Sequence, residues 1–372
     1  MAPTRPKTKK GKKKPPPPSI LLYDAASKLE AGQPLQAAAV AKRALEFTGE
    51  GGDFALAALN LLGQIHVELG ELDDARDYFS RAVALDADGT VDERVGGGEE
   101  KFLWLAQLSD EGGRDSVAWF ERGSAALRRQ IQALAALDRS TGEQAEALAE
   151  KRRKLAGTLC AVAEVYMTDL SWEADAEQRC EALITEATLV APELAETWQT
   201  VANVRISQQR VDEAREALRR SLDLWRELPP DDPAVPDFPT RVALSRLLLE
   251  VAMEQDALEV LERLGGEDDE SVEVQYLGGW GSYIVGEKEK AAGKPDDEGW
   301  RATWKSARRW LTRCLLLYEG QEYEDEKLKE HAGELLSAIN KEIGEPTDED
   351  EDEDAWEDDE EDSEEGDDDM AE

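Results

Sequence analysis

From Ser19 onward the apolar residues of this chain recur at spacings of three and four, in segments of twelve to sixteen residues. That is the period of an α-helix with one buried face. Strand-like alternation is almost absent, and Gly, Pro or acidic turns break the segments. The helices come in pairs, and the pairs resemble one another. The clearest pair carries Leu59-Asn60-Leu61-Leu62-Gly63, then Gly70, Ala75, Phe79 and Ala82. A large residue opens the first helix and a small one admits its partner. A turn glycine follows, and Ala, Phe and Ala line the second helix. Two antiparallel helices pack closely only where their crossing carries a side chain as small as Gly or Ala.

A second clear pair runs Trp198, Val201, Ala202, then Ala214 and Leu218, ending before Pro229-Pro230. Weaker pairs centre on Ala37 and Ala44; Phe102, Leu105, Ala106 and Ala118; Ala163, Tyr166 and Cys180; Leu244, Ala257 and Leu261; and Leu277, Gly278, Ala307 and Leu311. The offsets are those of the tetratricopeptide repeat (TPR). The expected fold is therefore an all-α TPR superhelical solenoid of about seven degenerate repeats. Successive small anchors of the second helices lie 34 to 62 residues apart, which calls for insertions. They are placed at Asp88 to Glu100, at Gly286 to Gly299, and as a long acidic helix extension between Gln130 and Lys154. Glu324 to Ile343 reads as a capping helix, with Leu328, His331, Leu335, Leu336 and Ile339 on one stripe to hide the last apolar face.

Charge divides the 372 residues into three parts. Residues 1–14 carry one Arg and six Lys with no acid, and residues 345–372 carry twenty acids with no base. Of the net −40, the head supplies +7 and the tail −20, leaving −27 on residues 15–344. The expected organisation is a disordered basic, Pro-rich head (1–18), the solenoid (19–343) and a disordered acidic tail (344–372). An acidic body repels nucleic acid phosphates and anionic membranes and attracts basic proteins. Neither nucleic acid nor membrane is expected as a direct partner. The blander role of the charge is to keep an apolar repeat protein soluble. Cys160, Cys180 and Cys314 sit in apolar helical patterns and suit buried thiols in a reducing compartment. No segment has the length of a membrane span. The stretch Ile20 to Leu22 stands behind Pro15 to Pro18 and is broken by Asp24, so it is no secretory signal.

Catalytic chemistry finds no constellation here. His66 takes a packing position in its helix, His331 is remote from it, and no cysteine pair has zinc spacing. Gly96-Gly97-Gly98 and Gly278-Gly279 lack the Lys and Ser/Thr of a phosphate loop. No enzyme, cofactor or metal is expected. In this repeat class the first (A) helices line the concave face, where extended partner segments lie. The register places Glu30, Asn60, Gln64, Glu68, Gln107, Asp110 and Glu111 there, followed by Glu164, Asp169, Glu196, Gln199, Asn203, Arg246 and Glu250. The protein-binding candidates are Asn60, Gln64, Glu68, Asp110, Glu111, Glu164, Asp169, Gln199, Asn203 and Glu250. Any one of these acids also reads simply as a solvated helix face. The Lys/Asn/Arg clamp by which some TPR co-chaperones capture chaperone carboxyl termini is absent, because Leu22 and Ala26 stand at its positions.

The combination of a basic Pro-containing head, about seven degenerate repeats and a Trp-containing acidic tail (Asp348 to Asp359 around Trp356) resembles a family. It is that of the fungal dedicated assembly chaperones of large-subunit ribosomal protein four. The resemblance implies a basic ribosomal protein client whose long internal loop lies in the acidic groove, shielded from aggregation and proteolysis. It also implies escort to the nucleus, hence shuttling between cytoplasm and nucleus, and handover to ribosomal RNA. Lys9, Lys10, Lys12, Lys13 and Lys14 then read as an import signal for an import receptor. A monomer is expected. The competing reading is a general acidic scaffold or histone-type chaperone that binds through its tail.

Overall fold

Fifteen α-helices and one 3-10 turn, with no strand, make up the described residues of the computed structural model, namely 16–49, 51–137, 142–293 and 299–346. The basic head with its import-signal lysines and the acidic tail with Trp356 lie outside them. The fold is an all-α TPR-type solenoid of seven helix pairs in chain order and a closing helix. None of the described helices is long and apolar enough to cross a membrane. The chain divides into two compact units, Met1–Ser207 and Gln208–Glu372.

The first unit contains α1 (Pro18–Glu30), α2 (Pro34–Thr48), α3 (Ala55–Glu68), α4 (Leu72–Leu85), α5 (Glu100–Gln107), α6 (Gly113–Ala136), α7 (Gly142–Met167), α8 (Ala176–Val190) and α9 (Ala195–Ser207). Each helix packs on its sequence neighbours, and α1 on α3 and α7 on α9 join successive A helices. Proline begins α1 and α2, where its missing N–H costs nothing. The predicted small crossing residue is Gly63. A Cβ there would lie 2.5 Å from the Phe79 ring, so even alanine is too large. Phe79 is fully buried and stacks on Trp104 of the next pair at 5.9 Å between ring centroids. One crossing thus ties two repeats together, with each buried aromatic or leucine contributing about 1.5–3 kcal/mol.

The second unit holds α10 (Val211–Asp223), α11 (Phe238–Glu250), α12 (Glu254–Glu267), α13 (Val272–Ala292), α14 (Gly299–Gly320) and α15 (Glu326–Ile343). Asp237, Ser271 and Asp325 accept backbone N–H groups at the starts of α11, α13 and α15. The predicted closing stripe is real. Leu328, Leu335 and Ile339 are buried with Ala332, and Leu336 packs partly buried against the same cluster. His331 is half-buried, and its Nδ1 lies 2.7 Å from the Tyr276 hydroxyl.

Two expectations need correction. The anchor of the third pair is not Ala118, which is exposed. It is Ser116, three residues into α6 as Ala75 is into α4, and its hydroxyl donates to the Ala106 carbonyl at 2.8 Å. A small polar residue thereby does the work of alanine while satisfying itself. The helix extension predicted between Gln130 and Lys154 is present in the end of α6 and the start of α7, whereas the segment predicted as an insertion at 286–299 is in part a longer helix. α6 has 24 residues, α7 has 26, and α13 continues past Gly286 to Ala292.

Candidate protein-binding face

The A helices of the first unit, α3, α5 and α7, share one side, and the connection between α4 and α5 folds onto it. That connection is held by buried charge. Asp86 Oδ1 accepts the Thr90 and Val91 amides at 2.9 and 3.2 Å, and its Oδ2 accepts Lys101 Nζ at 2.7 Å. Lys101 also donates to the Gly98 carbonyl at 2.6 Å. The two side chains of this ion pair are 2% and 1% exposed. Beyond it, Glu99 accepts Lys151 at 3.0 Å and Lys154 at 3.2 Å, while Glu93 pairs with Lys151 and Glu100 with Lys154. Burial, the largest single effect, would raise the Glu99 carboxyl, but the Lys151 charge and hydrogen bond, its own backbone N–H and the Lys154 charge together outweigh it and hold the group well below the carboxylate range. Burial likewise opposes charge on Lys154, yet its hydrogen bond to Glu100 and the nearby carboxylates push it up to about 12.

Gly96 explains how the connection reaches the helix. Its φ of 89° is left-handed, and a Cβ there would lie 2.5 Å from the Ala57 Cα of α3. Gly96 therefore serves the close approach of the connection to α3. The Asn60 amide donates to the Gly96 carbonyl at 2.6 Å, which engages this predicted contact residue in the fold itself. Between the connection and α3, α5 and α7 lies a cleft of about 400 Å³ whose lining includes Asn60, Gln64 and Glu99.

The other predicted residues divide. Glu68, at the end of α3, is exposed. Asp110 and Glu111 are exposed but stand in the turn after α5, which ends at Gln107, rather than on an A helix. Asp110 accepts Arg76 at 2.5 Å. Asp169 is exposed and accepts the Gly113 amide at 3.0 Å, helping to start α6. Glu164 is the most informative. Its residue is exposed, yet the surrounding protein partly desolvates its carboxyl and raises its pKa. Gln199 is buried in α9 with its Nε2 unpartnered, whereas Asn203 one turn on is exposed. Glu250 is exposed at the end of α11 in the second unit.

His66 is a packing residue. It is 2% exposed, rests against Tyr78 at 5.1 Å, and its Nδ1 lies 2.6 Å from Glu71 Oε2. Asp74 completes a group whose possible ligand atoms lie within 4.8 Å of one another. Its two carboxylates are exposed, and the imidazole contact with Glu71 ties α3 to the start of α4. Cys160 and Cys314 are buried, and burial pushes both thiols up to about 11, which keeps them inert.

Residues 56–88 match the tetratricopeptide repeat family model, and they contain the clearest repeat. A protein of Emericella nidulans, described as a probable assembly chaperone of rpl4, is 48% identical over 333 residues, covering 87% of this chain and 82% of its own. The chain belongs to that family, the assembly chaperones of RpL4. A Schizosaccharomyces pombe member with the same description is 33% identical, over 76% of this chain and 80% of its own. A solved structure of another member, "Assembly Chaperone of RpL4 (Acl4) (Residues 1-338)", superposes with a TM-score of 0.70 at 65% identity. It covers 74% of this chain and 99% of that one. Sequence reasoning missed the buried charges Asp86, Glu99, Lys101 and Lys151 and the partly buried Lys154. The one signal for them was the glycine run beside an acid and a lysine at core spacing.

Proposed function

We propose that this chain is a dedicated chaperone of ribosomal protein L4, binding a basic segment of that client on the A-helix side of its first unit. The observation that carries the reading is membership of a family whose members are described as assembly chaperones of rpl4, joined by Glu164, an exposed acid of α7. A carboxylate partly shielded from water by its surroundings gains more from an arriving Arg or Lys than a freely solvated one, about 1.5–3 kcal/mol per charge-assisted bond. Glu68 and Glu111 add exposed acid nearby in the repeat order. Holding the client in this way keeps it from aggregating or being degraded before assembly. The function is binding rather than catalysis, carried by a monomer. The basic head, with Lys9 to Lys14, supplies the signal for an import receptor that carries the complex from cytoplasm to nucleus.

The test is titration of purified L4 with the wild-type chain and with a Glu68→Lys, Glu111→Lys, Glu164→Lys variant. The variant should bind at least tenfold more weakly, with a shallower dependence on salt. Equal affinity and equal salt dependence would remove this face from the function. Deleting residues 345–372 should leave most of the affinity intact. Loss of binding by a folded deletion variant would instead favour an acidic-tail chaperone.

A further inference from the structure

The cleft under the α4–α5 connection is short of positive charge. Glu93, Glu99, Glu100 and Glu150 line it against Arg94, Lys151 and Lys154, which leaves one negative charge in excess. The two lysines are already shared among the first three carboxylates. Glu150 is exposed and forms no ion pair among the described residues. Two buried acceptors in the lining, Asn60 Oδ1 and Glu99 Oε2, have no hydrogen-bond partner, although the Glu99 side chain is only 1% exposed. Both orphans are acceptors, so the missing group is a donor. A water can donate to them but leaves the charge excess untouched.

We infer that this cleft is the seat of one cationic side chain, an arginine of the bound basic segment. Its guanidinium donates to Glu99 Oε2 and Asn60 Oδ1 and faces the Glu150 carboxylate. The inference rests on the proposed binding of a basic client to this side of the unit. Arginine suits the site better than lysine. Its planar fork of five N–H donors serves acceptors that come from different helices, and it gives up hydration more readily than an ammonium. The cleft is anchored on three A helices and on a connection whose Glu93 and Glu99 are tied to Lys151 and Lys154 of α7.

Two variants of the full chain test this. Gln64→Arg, in the cleft wall, supplies a tethered guanidinium. It should raise the thermal midpoint by a few degrees and weaken L4 binding about tenfold. Glu150→Lys, at an exposed position that the fold tolerates, should weaken L4 binding to a similar extent. Peptides of repeating Gly-Arg-Gly-Ser and Gly-Lys-Gly-Ser separate the cations. The arginine peptide should bind the wild type more tightly, and Gln64→Arg should abolish the difference. Wild-type affinity for L4 in both variants, alongside weakened binding by Glu164→Lys, overturns the cleft and leaves the proposed function standing. Failure of the wild type to bind L4 overturns the proposed function, and the cleft with it. A structure of the complex with only water in the cleft also overturns the inference.

Discussion

Lys101 is almost fully buried, and its loss should be among the most damaging single changes in the first unit. Lys101→Met keeps the length of the stem and removes the ammonium. Asp86 then remains buried, its counter-charge gone, and the Gly98 carbonyl loses its donor. Breaking a buried ion pair from one side costs about 3–5 kcal/mol, and an orphaned buried carbonyl adds about 1–3 kcal/mol. Methionine packing against Phe102 returns part of this, so the expected loss is about 4 kcal/mol. Pairing Lys101→Met with Asp86→Asn removes the orphaned charge while the amide oxygen still accepts from Thr90 or Val91. The double variant should therefore be more stable than the sum of the two single losses by about 2 kcal/mol. Urea unfolding at pH 7, followed by far-UV circular dichroism, measures both quantities if the slope is unchanged. A loss below about 1 kcal/mol for Lys101→Met, or strict additivity in the double variant, would refute the account of the buried pair.

Gly63→Val should destabilise the second repeat, because its side chain has no room against the fully buried Phe79. The overpacking cost of about 1–3 kcal/mol exceeds the roughly 0.5 kcal/mol that valine gains over glycine in a helix, and a raised melting temperature would contradict it. Acid should weaken the fold. Asp86, Glu99 and Glu267 are each held below their ordinary carboxyl values, so the stability they contribute is complete above pH 4.5 and is lost as pH falls through their lower folded values. Glu164, whose carboxyl is raised by desolvation, works the other way, and Glu164→Gln should therefore raise the melting temperature at neutral pH. A melting temperature that climbs from pH 5 to pH 3 would contradict the first of these signs.

The helices and their pairing were legible in the chain because amphipathic period and small-residue spacing are local properties. Ala75, Phe79, Ala214 and Ala257 are buried in the register their offsets demanded. The closing stripe of α15 was legible for the same reason, since a solenoid end must cover its last apolar face. Misreadings arose where size and polarity disagreed. Ser116 does the work of an alanine because a carbonyl one helix away accepts its hydroxyl, and no local pattern reports that distant acceptor. Gln199 lies on the expected helix yet is buried, while Asn203 one turn along the same face is exposed, because the packing of neighbouring helices rather than the helical period decides how much of a face is covered. The acidity of the chain was likewise plain from composition, as was the preference for a basic partner. How each acid is surrounded was decided only by tertiary structure. Glu164 differs from Glu68 through the protein mass around it, and Glu99 draws its character from two lysines more than fifty residues away. Desolvation and charge pairing depend on distance in space, and the chain brings those groups together only by folding.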